Sequence, residues 1–171
     1  MELRSVEELM DLLHACRGAG ATPARPRSRI RPGEGTHVGA PVDLHQHALQ
    51  TAALLRRSHP SDKELQVAGL VHPLGQLLRP GDRAGHADLA ADAVRPLLGE
   101  RVARLVRLVP AHAGACPEDP FADDSCPDDV LSLRQADDAS RVAGLDAGVL
   151  EDWRTVLELV AAQNSRMRAA D

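Results

Sequence analysis

The 171-residue chain holds two aromatic residues, Trp153 and Phe121, and no tyrosine, although 43% of it is hydrophobic. Its core must be assembled from Leu, Val and Ala. That set favours packed helices over the β-branched and aromatic faces on which sheets depend. The same scarcity removes the aromatic platforms that single-stranded nucleic-acid binders use to stack bases. With 20 Lys+Arg against 25 Asp+Glu the net charge is −5, so no overall positive field attracts DNA, RNA or anionic lipid. The length suits one compact domain.

Hydrophobic periodicity predicts six or seven helices and no strand. Ser5 followed by Glu8 is a capping-box signature, opening a helix with Leu9, Met10, Leu12 and Leu13 on its apolar face. That helix stops near Gly18, and positions 18–35, rich in Gly, Pro and Arg (Arg25, Arg27, Arg29, Arg31), read as loop. Leu44, His47, Ala48, Thr51, Leu54 and Leu55 share one face of a helix over 43–57. Ser61 and Glu64 form a second capping box before a helix at 65–78, which Pro80-Gly81 closes. Further helices are predicted at 84–98 and 100–109, the latter stopped by Pro110. Positions 111–127 read as loop, Asp128 or Asp129 caps a helix through about 142, and a last amphipathic helix covers 149–167. The expected fold class is all-α, a single-domain helical bundle. Residues 1–35 form an N-terminal helix plus loop, and residues 36–171 form the body.

The longest uncharged stretch, Leu65–Leu78, has 14 residues and includes His72, Pro73 and two Gln, too short and too polar to span a bilayer. No basic segment followed by an apolar run opens the chain, and three cysteines (Cys16, Cys116, Cys126) without a C-x-x-C pair give no disulfide or zinc framework. The expectation is a cytoplasmic protein with reduced thiols, no membrane association and no nucleic-acid partner.

The informative residues are histidines and acids on apolar helical faces. His47 lies in line with Leu44, Thr51 and Leu54; His72 sits inside Leu70-Val71-His72-Pro73-Leu74; His86 stands near a helix start; Asp137-Asp138 interrupt a helix bearing Val130, Leu131 and Leu133. Taken singly, each is most simply a hydrogen-bonded core residue. Taken together, imidazoles and a carboxylate from separate helices suit a buried site for a divalent metal such as iron.

The order His47, His72, His86, Asp137 resembles the HD-domain superfamily. The segment Val38-Gly39-Ala40-Pro41-Val42-Asp43-Leu44-His45-Gln46-His47-Ala48-Leu49-Gln50-Thr51-Ala52 is similar to the start of the phosphonate-degrading HD-domain oxygenases, which are mixed-valent di-iron enzymes. Leu133-Arg134-Gln135-Ala136-Asp137-Asp138-Ala139-Ser140-Arg141-Val142-Ala143-Gly144-Leu145 resembles the closing motif of the same family. The likeness runs from about Thr36 to Ala161. It implies an HD-type bundle with His47, His72, His86 and Asp137 as metal ligands.

The departures from that pattern bear on mechanism. The family's His-Asp dyad reads His72-Pro73 here, and proline offers no ligand atom to bridge two metals. Val109 stands at a family His position and Ala113 at a family Lys position, with His112 nearby as a substitute candidate. The segment 111–133 is much shorter than the family's substrate-binding region, and His37 and Ala40 replace the aromatic and acidic residues expected before the first ligand. The resulting expectation is an HD-type protein with an incomplete metal site, non-catalytic, binding a small ligand or a protein partner. Its cofactor would be iron or another divalent metal at reduced occupancy, or none. The alternatives are a divergent di-iron oxygenase acting on a phosphonate-like or other small polar substrate, and a metal-dependent phosphohydrolase. Proline at position 73 should also bend or end the helix that carries His72.

Overall fold

The computed structural model describes residues 2–18, 43–80, 85–109, 128–141 and 147–170. Among them every regular element is helical: α1 (Val6–Ala15), α2 (Leu44–Ser58), α3 (Lys63–Val71), α4 (Leu74–Leu78), α5 (His86–Leu98), α6 (Glu100–Leu108), α7 (Asp128–Ser140) and α8 (Arg154–Ala169), with a 3-10 turn at Leu150–Trp153 leading into α8. These are the seven helices of the sequence reading, with the third split in two at His72-Pro73. The arginine-rich stretch, His37, Ala40, Asp82, His112, Ala113, Cys116 and Cys126 lie outside the described residues.

The core is aliphatic, as the composition requires. Leu9, Leu13, Leu55, Leu65, Leu70, Leu74, Leu98, Leu133 and Leu157 are fully buried around Trp153, the one large aromatic in the described core. α1 shares this core rather than standing apart from it, since Leu3, Val6, Leu9, Met10 and Leu13 are all buried and the Leu3 amide donates to the Ala93 carbonyl at 2.9 Å. α2 runs through the middle, with Leu44, His47, Ala48, Thr51 and Leu55 buried on the predicted face and His45, Leu49 and Ala52 buried on the other. A helix buried on two sides is held between layers, here α1 on one side and α3 and α7 on the other.

The helix starts follow from local capping. Ser5 Oγ accepts from the Glu8 amide, while the Glu8 carboxylate turns back to the Arg4 amide rather than to Ser5. At α3 the cap is Asp62, whose carboxylate accepts from the Leu65 amide at 3.0 Å; Ser61, the predicted cap, lies one residue outside. One guanidinium, Arg101 of α6, gathers Asp62, Glu64 and Asp129 at 2.6–2.9 Å and ties α3, α6 and α7 together, so Glu64 faces Arg101. Those hydrogen bonds, the one to Asp62 foremost, raise the Arg101 pKa, and the same contact lowers that of Asp62.

Two glycines permit close approach where the site is built. A Cβ at Gly75 in α4 would collide with the backbone carbonyl of His86, so α4 and α5 meet there only because position 75 has no side chain. A Cβ at Gly69 in α3 would press on Leu55 and Thr51 of α2. The absence of one lets α3 settle against α2 and brings the C-terminus of α3 near His47.

Candidate metal centre

α3 ends as the proline rule predicts, but not by the predicted route. His72 keeps right-handed helical angles (φ −57°, ψ −32°) and its amide still donates to the Ala68 carbonyl at 3.0 Å. The interruption comes one residue later. Pro73 has no N–H for the Gly69 carbonyl, four residues back, so that carbonyl lacks its helical donor. The His72 ring fills the gap: Nδ1 lies 2.8 Å from Gly69 O. A carbonyl only accepts, so Nδ1 carries the proton, and in the neutral ring Nε2 is the lone-pair atom.

That Nε2 points at Asp137. Asp137 Oδ1 is 3.0 Å from His72 Nε2 and 2.7 Å from His47 Nε2, while Oδ2 accepts from the Arg141 guanidinium at 3.0 Å. All three site side chains are buried, His47 at 5%, His72 at 7% and Asp137 at 9% exposure. Burial opposes ionisation of Asp137, yet a ring that carries a proton on Nε2 as well as Nδ1 gives the carboxylate a hydrogen bond and a positive charge, which outweigh burial and hold its carboxyl well below the usual carboxylate range.

His47 is anchored from behind by hydroxyls. Its Nδ1 lies 2.8 Å from Ser140 Oγ; Ser140 donates to the Asp137 carbonyl at 2.7 Å, and Thr51 Oγ1 lies within donating distance of both Ser140 Oγ and the His47 carbonyl. With its proton on the Asp137 carbonyl, Ser140 accepts from His47 Nδ1–H and leaves Nε2 as a lone pair. Turned towards Nδ1 instead, the same hydroxyl supports the other tautomer. In the first setting two imidazole lone pairs and a carboxylate oxygen converge with no hydrogen between them. Such a group is held together by a proton on a ring or by a cation at its centre.

The ligand atoms of His47, His72 and Asp137 all lie within 4.8 Å of one another, and among the described residues no fourth His, Cys, Asp or Glu joins them. The group can hold a metal ion. Two imidazoles bound through Nε2 with Nδ1 tied to the protein, and a carboxylate with its second oxygen on an arginine, form the arrangement that orients ligands around one ion. Among the described residues nothing completes a second site beside it: position 73, next to His72, is a buried pyrrolidine without a ligand atom, and Val109 is part of the core.

Of the four ligands expected from sequence, three therefore meet. His86 does not: it is the first residue of α5, half-buried, and stands outside the group. Asp88, in the first turn of α5, faces outward to Arg107 at 2.9 Å, and Asp138 is exposed. Sequence reasoning missed Ser140 and Thr51, and it missed His45, a buried ring whose Nδ1 meets the Leu13 carbonyl at 2.8 Å while stacking on His14. His45 was legible in one respect, because Leu49 and Ala52 put a second apolar face on α2. No family model matches the chain, and no curated protein matches it significantly. No helix of the described residues is long and apolar enough to cross a membrane.

Proposed function

We propose that this protein is a degenerate HD-type helical domain that binds one divalent metal ion through His47, His72 and Asp137 and works as a binding protein rather than as a two-metal oxygenase or phosphohydrolase. The observation that carries the reading is the convergence of two Nε2 atoms and Asp137 Oδ1 from α2, α3 and α7, each ligand fixed from behind. A single ion here has three protein ligands, and its remaining coordination positions would be filled by solvent or a small ligand. Among the described residues no further carboxylate stands beside the group to bridge a second ion and screen its repulsion from the first. That removes the arrangement on which both the di-iron oxygenases and the metal-activated water of the HD hydrolases depend.

A second reading rests on the donor set itself. Two histidines and one carboxylate are the ligands of mononuclear non-haem iron, so a divergent oxygenase working with a reduced centre is the alternative. Titration of chelator-treated protein with Zn2+, Co2+ and, anaerobically, Fe2+ separates these cases. One ion per chain, lost in His47→Ala and Asp137→Ala, with no oxygen consumed and no phosphate released, is the expected result. Oxygen consumption by the iron form with phosphonate-like substrates would establish the oxygenase, and phosphate release from a nucleotide panel the hydrolase. Failure of every ion to bind at millimolar concentration would reduce the group to a structural hydrogen-bond network.

A further inference from the structure

Pro73 reads at first as a loss, since it occupies the place of a ligand. Its effect on the residue before it is constructive. Along α3 each carbonyl receives the amide four residues ahead, as the Ala68 carbonyl receives the His72 amide. The Gly69 carbonyl would receive the amide of residue 73, and proline has none. The ring that fills the vacancy belongs to His72 itself, at 2.8 Å. A neutral imidazole otherwise distributes its proton between two nitrogens, and only the form with a bare Nε2 can bind a cation from the side facing Asp137.

We propose that Pro73 is a positioning residue for the metal centre: by withholding an N–H it gives the Gly69 carbonyl to the His72 ring and fixes that ring with Nδ1 protonated and Nε2 as its lone-pair atom. This rests on the metal-binding reading above for its purpose, though not for its geometry. His72 is thus set by the backbone. His47 is set by Ser140, a hydroxyl that accepts or donates, so one ligand is locked and the other is convertible. Gly69 belongs to the same device, because a side chain there would press on Thr51 and Leu55 of α2 and push the carbonyl and ring away from His47 and Asp137.

The test is Pro73→Ala. An alanine amide at position 73 takes the Gly69 carbonyl in the helical direction and frees the His72 ring, while no ligand atom is removed. Long-range 1H–15N correlation spectra of the histidine rings read the tautomer directly. Wild-type protein, with and without Zn2+, should show His72 protonated at Nδ1, and the Ala variant without metal should show that ring with an unprotonated Nδ1. Affinity for Zn2+ and Co2+ should fall about tenfold or more, the usual effect of removing a ligand's outer partner. A proline that served only to end α3 would change stability and leave both readouts unmoved. The wild-type spectrum alone remains decisive if the variant folds poorly: His72 with an unprotonated Nδ1 in metal-free protein overturns the proposal, as does a Pro73→Ala affinity within twofold of wild type. If wild-type protein takes up no metal yet His72 is locked at Nδ1, the metal reading fails and the backbone lock stands.

Discussion

Replacing Asp137 by Ala and by Asn should give two different proteins, and the difference follows from counting hydrogens at the site. In Asp137→Ala the buried His47 and His72 rings lose the oxygen that lies 2.7 and 3.0 Å from their Nε2 atoms. Arg141 loses a partner too, but its side chain is 59% exposed and returns to water at little cost. In metal-free protein a ring proton bonded to Asp137 holds the cluster together, and a buried polar group left unpaired costs about 1–3 kcal/mol, so losing that charge-assisted bond should cost about 3 kcal/mol. For a chain of this size that is a Tm lower by roughly 6–12 °C. In Asp137→Asn the amide offers two hydrogens to the two Nε2 lone pairs and its oxygen to Arg141. His72 is already in the required tautomer and Ser140 lets His47 adopt it. Chelator-treated Asp137→Asn should therefore stay within about 1 kcal/mol of wild type, while both variants lose metal binding. Urea denaturation in the presence of chelator, followed by circular dichroism, measures the pair. An Ala variant as stable as wild type, or an Asn variant as unstable as Ala, would refute the hydrogen-bond assignment.

Other perturbations test the surroundings. Ser140→Ala removes the partner of His47 Nδ1 without touching a ligand, and should weaken Zn2+ or Co2+ binding about tenfold by competition titration. Gly75→Ala gains about 0.5–1 kcal/mol of helix propensity but forces α4 off the His86 carbonyl, an overpacking cost of about 1–3 kcal/mol, so thermal unfolding should show net destabilisation. Burial, with Asp43 adding to it, pushes the Cys16 thiol up to about 11, so a Cys116→Ser/Cys126→Ser protein should resist iodoacetamide at pH 8 until it is unfolded. The Asp62 carboxyl is held below its ordinary pKa by Arg101, so its contribution is fully present above the unfolded value near pH 4 and is lost as pH falls through the lowered folded value. Arg101→Ala should cost about 1 kcal/mol at neutral pH and low salt and should flatten that acid limb in denaturation curves.

The periodicity of α2 was legible because its apolar positions repeat at the helical interval, and His47 falls inside that repeat. The pairing of His47 with Asp137 could be anticipated from chemistry, since a buried carboxylate must find donors. The place of His86 could not. Nothing in its spacing encodes how α5 is seated against Gly75 of α4, the contact that its own backbone makes. Asp62 rather than Ser61 caps α3, and its carboxylate also meets Arg101, a residue of a different helix whose contact no local pattern encodes. Pro73 was readable as a break, but the destination of the Gly69 carbonyl required the ring of His72 to be seen. Ser140 carries no signal of its own; its role appears only once α7 lies against α2.

The residues that meet at the centre are far apart along the chain: 90 positions separate His47 from Asp137, and 65 separate His72 from Asp137. α2 and α3 can associate early through short connections, whereas α7 must close a long loop before its aspartate arrives. The cluster should therefore form late in folding. An ion that binds only the finished site cannot speed the approach of α7, and its stabilisation appears almost wholly as a slower escape. Added metal should leave the refolding rate of this protein unchanged and lengthen the lifetime of its native state, making the ion a latch on an assembled bundle rather than a template for assembling it.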